Sequence, residues 1–204
     1  MIIIRDVEQG SAEWKEMRLG KITASRMHEV MSNGKGGNPS KMSETYMIEL
    51  ITEKLTGKAK DFFENDAMRW GTKTEPMARE VYSVKNDFAI VEEVAFIELN
   101  DDVGVSPDGL IGEDGMLEIK APATQTQIKR ALSSDFSADY KAQIQAQLWV
   151  SGRDWCDFVS YDPRIDCKSS FLQVRVFRDN DYIKIMEEKV TAFTLEMKSK
   201  IEML

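Results

Sequence analysis

Residues 104–120 read Gly104-Val105-Ser106-Pro107-Asp108-Gly109-Leu110-Ile111-Gly112-Glu113-Asp114-Gly115-Met116-Leu117-Glu118-Ile119-Lys120. Turn residues at 112–115 separate two β-rich runs, which predicts a pair of strands joined by a tight turn. Alternate side chains of a strand share a face, so Glu118 and Lys120 point one way and Leu117, Ile119 and Ala121 the other. The turn folds Asp108 back toward Glu118 and Lys120, and Pro107 is expected to mark an edge or bulge that re-aims it. Two carboxylates and an amine would then converge on one spot at the sheet. The bare pattern also describes a solvated strand face, so its meaning depends on the rest of the chain.

On the N-terminal side the pattern is helical. Residues 11–19 and 23–31 read as two short helices, each opened by a hydroxyl cap at Ser11 and Thr23. A Gly-, Asn- and Pro-bearing loop covers 32–40. Ser40 can then cap a longer helix to residue 55, which Gly57 closes. A further helical pattern spans 66–85, where Gly71 and Pro76 suggest a break near the middle. At residue 88 the period changes. Residues 88–99 read as one strand, 138–150 as a helix, 155–161 and 171–177 as strands, and 179 onward as an amphipathic helix. The expected class is α/β, an α+β layered single domain over 1–204 with a small mixed central sheet flanked by helices. Its helical part would be 1–86, and its sheet with the C-terminal helices 87–204.

The 204 residues are 42% hydrophobic and 30% charged, values that suit a folded chain and not a disordered one. Apolar runs stay far below the roughly 20 residues of a membrane helix, so no membrane span is expected. The N-terminus has neither the basic leader nor the apolar stretch of a secretory signal, and a cytoplasmic location is expected. Cys156 and Cys167 lack zinc-ligand spacing and make a poor disulfide framework. The single histidine, His28, excludes multi-histidine zinc sites and leaves a Ser-His-Asp triad hanging on one residue. Catalysis therefore falls mainly to carboxylates, amines and bound metal.

A net charge of −8 is a poor footing for a nucleic-acid binder. The acid is concentrated, however. Residues 1–60 carry a net +2, residues 61–120 a net −10, and residues 121–204 none. Such a block can be a solvated face, or it can hold divalent cations that reverse the field a phosphate meets. Asp108 and Glu118 offer oxygen donors, which suit Mg²⁺ or Mn²⁺ with substrate phosphate as a further ligand. The chemistry implied is hydrolysis, with Lys120 able to orient or deprotonate the attacking water. Metal charge lowers the pKa of Lys120 and the carboxylates raise it, so its protonation state is open.

Pro107-Asp108 followed by Glu118-Ile119-Lys120 resembles the PD-(D/E)XK nuclease signature. Longer strings resemble the bacteriophage lambda exonuclease, or YqaJ-type viral recombinase, family. They are Glu8-Gln9-Gly10 with Trp14, Arg18-Leu19-Gly20, Ile22-Thr23-Ala24-Ser25, Trp70-Gly71 with Glu75, Ser106 to Leu110, Ala142-Gln143 with Gln145 and Trp149, and Tyr161-Asp162-Pro163-Arg164. The resemblance implies a restriction-endonuclease-like core and a 5′ to 3′ exonuclease that acts on double-stranded DNA ends. Such an enzyme releases mononucleotides and leaves a 3′ strand for phage-type recombination by annealing. It also implies Mg²⁺ with Mn²⁺ as a substitute, two ions per site, a ring-shaped homotrimer, a single-strand annealing partner, and the cytoplasm of a bacterial host.

Carried over position by position, the resemblance makes Asp108, Glu118, Glu75 and the Ile119 carbonyl metal ligands. Lys120 serves the attacking water, and Gln143 joins the catalytic set. Arg18, Ser25, Ser106 and Gln143 would bind the 5′-phosphate, a planar charged fork beside neutral hydrogen-bonding groups. Met68 falls where the family has a wedge at the end base pair; a core methionine is its plainer reading, as a surface charge is for Glu75 and Arg18. Two other outcomes share these residues. One is a structure-specific or restriction-type endonuclease, which alone would cut closed circular DNA. The other is a non-catalytic DNA-end-binding subunit, against which an intact Asp108, Glu118 and Lys120 argue.

Overall fold

The computed structural model describes residues 1–59 and 65–204. In chain order these form β1 (Ile2–Ile4), α1 (Ala12–Met17), β2 (Ile22–Thr23), α2 (Met27–Met31), α3 (Lys41–Thr56), α4 (Asp66–Lys85), β3 (Val91–Glu92), β4 (Phe96–Asn100) and β5 (Val103–Val105). They continue with β6 (Gly109–Ile111), β7 (Gly115–Lys120), α5 (Thr124–Ala131), α6 (Lys141–Ser151), β8 (Trp155–Tyr161), β9 (Phe171–Phe177) and α7 (Asn180–Glu202). The helix ends follow local chemistry. Ser11 and Ser40 accept from the backbone N–H of Trp14 and Ser43, and Gly57 ends α3 at φ 63°, where a side chain would be strained.

Among the described residues the strands form two sheets, in the orders β1-β4-β5-β2 and β3-β6-β7-β8-β9. Parallel pairing joins β2 to β5 and β7 to β8, and the other pairs are antiparallel. The β7 to β8 connection carries α5 and α6, the long crossover that parallel neighbours require. Both faces of the five-stranded sheet are covered. Leu117, Ile119, Val159 and Tyr161 pack with Ala78 and Tyr82 of α4, while Met116 and Phe158 belong to the larger core with Ile144 and Leu148 of α6. The period-two alternation of β7 therefore sends Glu118 to the α6 face.

Several sequence expectations need correction. Residues 88–99 are not one strand: β3 and β4 lie in different sheets. Asp87 and Phe88 turn the chain with φ of 53° and 59°. Beyond β3, Gln9 Nε2 donates to the Val94 carbonyl and Ala95 N–H donates to the Ile4 carbonyl, which steers the chain to the other sheet. The five-stranded sheet is the small mixed sheet that the expected α/β class requires, and a second, four-stranded sheet is added to it. Thr23 caps no helix; it sits in the β2–β5 pair, where its N–H donates to Tyr46 Oη. No break occurs at Gly71 or Pro76, and α4 is continuous, its second half fixed by fully buried Ala78 and by the Tyr82 hydroxyl donating to Asp157 at 2.6 Å. Pro107 marks no bulge in the hairpin, whose β6–β7 register is unbroken from Gly109↔Leu117 to Ile111↔Gly115. It lies instead in the step between the two sheets. The sequence pattern also passed over β1, β5 and α5, which are short or polar.

Candidate active site

The hairpin of β6 and β7 brings its acids together through backbone pairing. Asp108 N–H donates to the Leu117 carbonyl at 3.1 Å, and Asp108 Oδ2 accepts from Ile119 N–H at 2.5 Å. Asp108 is therefore fixed beside the strand that bears Glu118 and Lys120. Glu118 is almost wholly buried and fully engaged. Its Oε1 accepts from Lys120 Nζ and from Gln143 Nε2 at 2.6 Å, and its Oε2 accepts from Gln147 Nε2 at 2.7 Å. The Lys120 ammonium also faces the ring of Tyr140, 5.3 Å from its centroid.

Burial disfavours charge on Asp108, and the neighbouring carboxylates Glu118 and Glu75 push its carboxyl further up, well above the usual range, against a smaller pull from Lys120. Glu75 moves the same way, first through burial and then through Glu118 and Glu93, with Arg79 and Lys120 opposing. Lys120 is the counterweight. Burial works against its charge, yet Glu118 and Asp108 more than offset this and raise its pKa, so it is an ammonium in this structure. Glu75 itself is held by Arg79 at 2.7 Å, on α4, and reaches the other acids through the field rather than by contact.

The donor chemistry fits a hard cation: the carboxylate oxygens of Asp108 and Glu118 repel one another, and a positive ion would relieve that. Closure is partial. Among the described residues no three Asp, Glu, His or Cys side chains surround a common point.

A second cluster of polar side chains adjoins the carboxylates. Arg18, at the C-terminus of α1, donates to Ser106 Oγ at 3.1 Å and lies 4.1 Å over the ring of Trp14, whose Nε1 donates to Ser106 Oγ at 3.1 Å. Burial brings the Arg18 guanidinium down to about 10, against opposing pulls from Tyr46 and Glu53. A desolvated cation with a hydroxyl for its hydrogen-bond partner is a place for an anion. Gln147 joins the two clusters, since its Nε2 also lies 3.5 Å from the Ser106 carbonyl, and its buried Oε1 has no partner.

Of the residues singled out from sequence, Asp108, Glu118, Lys120 and Gln143 meet, and Arg18 meets Ser106. Gln143 sits on Glu118 rather than beside Arg18. Ser25 is exposed and pairs with Thr23 Oγ1 at 3.5 Å. Met68 is 36% exposed near the start of α4, which excludes a core role. Gln147 stands out in the sequence with Tyr140 and Gln143 on the helix after the hairpin but without a task of its own, and its spacing of four from Gln143 puts both on one helix face. Gln9, which donates to the Pro107 carbonyl at 3.1 Å, carried no signal of its own.

Known proteins resemble this arrangement at several distances. The model of the YqaJ-like viral recombinase domain matches residues 13–154. The alkaline exonuclease of Laribacter hongkongensis superposes with a TM-score of 0.86 and 39% identity, over 94% of this chain and 95% of that one, and has also been crystallised in complex with dAMP. A phage-related exonuclease from Haemophilus somnus shares the fold at TM-score 0.74 and 18% identity, over 89% of this chain and 95% of its own. An uncharacterized protein of Acanthamoeba polyphaga mimivirus is 28% identical over 174 residues, 76% of this chain; the chain spans only 29% of that relative's length.

Proposed function

This chain belongs to the YqaJ-like viral recombinase domain family, and from that premise we propose that it is a metal-dependent 5′ to 3′ exonuclease acting on double-stranded DNA ends. Its product would be 5′-mononucleotides and a 3′ single-stranded overhang for recombination by annealing. The observation that carries this reading is that Gln147 bridges two groups of side chains, one rich in carboxylate around Glu118 and one built on the desolvated Arg18 and Ser106.

Each residue has a task that its surroundings favour. Arg18 and Ser106, with Trp14 behind them, bind the terminal 5′-phosphate, and Ser25 approaches once DNA is seated. Asp108, Glu118 and the Ile119 carbonyl, with Glu75 as a further carboxylate, would hold Mg²⁺, or Mn²⁺ in its place, with two ions per site. When bound, the metal would supply Lewis acidity at the scissile phosphate. Lys120 starts as an ammonium on Glu118 and moves to orient the attacking water. Gln143 and Gln147 keep the Glu118 carboxylate aimed as Lys120 leaves it. Met68, exposed at the start of α4, wedges the end base pair.

The dAMP complex of the Laribacter hongkongensis enzyme supports a mononucleotide product. No helix among the described residues is long and apolar enough to cross a membrane. The remaining parts of the proposal are a homotrimeric ring around the DNA, a single-strand annealing protein as partner, and action in the cytoplasm of a bacterial host of a phage or prophage.

The deciding experiment is digestion of a 5′-phosphorylated linear duplex with and without Mg²⁺, beside closed circular DNA. Mononucleotides from the linear duplex alone, and only with metal, are expected. Cutting of the circle would make the chain an endonuclease, and no hydrolysis of either would make it an end-binding subunit.

A further inference from the structure

Lys120 is held from two sides, and only one of them is free to remain when the site is occupied. Glu118 grips its ammonium directly, but Glu118 is also a proposed metal ligand and cannot serve both partners equally. The other side is the ring of Tyr140. Tyr140 is half-buried, its ring tilted 35° against that of the fully buried Phe158 with centroids 4.9 Å apart, and its hydroxyl accepts from Arg130 Nη2 at 2.5 Å.

Arg130 lies in α5, outside the strands and helix that carry the site, and its second arm is anchored more deeply than its first. Nη1 donates to Ser160 Oγ at 2.7 Å. Ser160 is fully buried on β8, directly opposite Lys120 in the parallel pairing, and donates to Gln127 Oε1 at 2.6 Å. Gln127 is itself fully buried and spends its amide on the carbonyls of Ser160, Ser169 and Ser170. Among the described residues the hydrogen-bonding partners of Arg130 are thus two neutral hydroxyls and no carboxylate. A guanidinium is suited to this task because its planar fork fixes two acceptors in one geometry, which a lysine cannot do.

We infer that Arg130 is a positioning residue for Lys120, acting through Tyr140. The rigid Gln127-Ser160-Arg130 chain holds the phenol in place, and the phenol keeps the ammonium aimed when Glu118 lets go. This rests on the reading of Lys120 as the group that serves the attacking water. Outer partners of this kind are worth about 10- to 100-fold in activity when removed.

The test is steady-state digestion of a 5′-phosphorylated duplex by the full chain with Mg²⁺. Arg130→Met should lower kcat about 10- to 100-fold with KM little changed, and Arg130→Lys should fail to restore it. Tyr140→Phe, which keeps the ring and drops the hydroxyl, should lose a similar factor, and the double variant should be no worse than either single one. A risen KM with kcat kept, rescue by Arg130→Lys, or losses that multiply would overturn the inference and make Arg130 a separate DNA contact. If Arg130→Met does not fold, full kcat in Tyr140→Phe overturns it equally. Lys120→Ala separates the two levels. Its activity retained would overturn the reading of the site, whereas its loss of about 10²- to 10⁴-fold beside an unaffected Arg130→Met would overturn this inference alone.

Discussion

Gln147 Nε2 stands 2.7 Å from Glu118 Oε2, deep in the core, where neither side chain meets water. A buried carboxylate oxygen without a donor pays its full desolvation cost, so this contact matters to both stability and geometry. Gln147→Met keeps the volume and removes the donor. It should cost about 1–3 kcal/mol in denaturant unfolding and about 10- to 100-fold in metal-dependent turnover. Gln147→Glu should do worse on both counts, because it sets a second carboxylate against the first. Wild-type stability and turnover in Gln147→Met would remove Gln147 from the site.

Arg18 gives the opposite relation between stability and function. Its guanidinium is desolvated with Ser106 Oγ as its hydrogen-bond partner, a cost that a bound phosphate would offset. Arg18→Met should therefore leave the melting temperature unchanged or raised, while abolishing the preference for 5′-phosphorylated over 5′-hydroxyl ends. Inorganic phosphate should raise the melting temperature of the wild type and not of the variant. Equal phosphate stabilisation of both proteins would place the anion elsewhere.

What could be read in the sequence follows from how local each signal was. The β6–β7 hairpin depends on a tight Gly-bearing turn and strict alternation, and its prediction of Glu118 and Lys120 on one face is what the structure shows. The Ser40 cap, the Gly57 stop and the ends of β8 and β9 were equally local. The second sheet was not, because its strands are two to five residues long and pair across the chain, as Ile2 does with Glu98. The same limit applied to the site. Asp108, Glu118 and Lys120 are close in sequence, whereas the contact of Arg18 with Ser106 spans 88 residues and entered only through family resemblance. Nothing local marks Arg130 either, since α5 is polar and its partner Ser160 is a lone hydroxyl in a strand.

Asp108 should trade stability for function. Its carboxyl is raised in the folded protein by burial and by Glu118 and Glu75, so ionising it works against the fold. The sign follows: the folded state binds the proton more tightly than the unfolded chain, and this group's contribution to stability falls as pH rises above the unfolded carboxylate value. Asp108→Asn removes that penalty and can keep the acceptor for Ile119 N–H. Without divalent metal it should melt a few degrees higher than the wild type at neutral pH, and it should lose turnover in Mg²⁺. A lower melting temperature in chelator would mean that Asp108 is not under electrostatic stress.

Asp102 runs the other way and provides a control on the same fold. It links three elements at the β4–β5 turn, with Lys54 of α3 at 3.1 Å from Oδ1 and Lys198 of α7 at 2.6 Å from Oδ2. Burial disfavours its charge, but the two ammonium groups outweigh burial and hold its carboxyl below the ordinary value. A depressed pKa contributes stability that is present above the unfolded value of about 3.9 and is lost as pH falls through the folded one. Asp102→Asn should therefore destabilise by about 1 kcal/mol at about pH 7, a modest figure because the Lys198 partner is largely in solvent. The gap to the wild type should close as acidification passes through the depressed pKa of the folded state, where both proteins come to carry an uncharged side chain. Melting curves of wild type, Asp102→Asn and Asp108→Asn across this range should diverge in opposite directions from low pH to neutral; parallel curves for the two variants would refute the assigned signs.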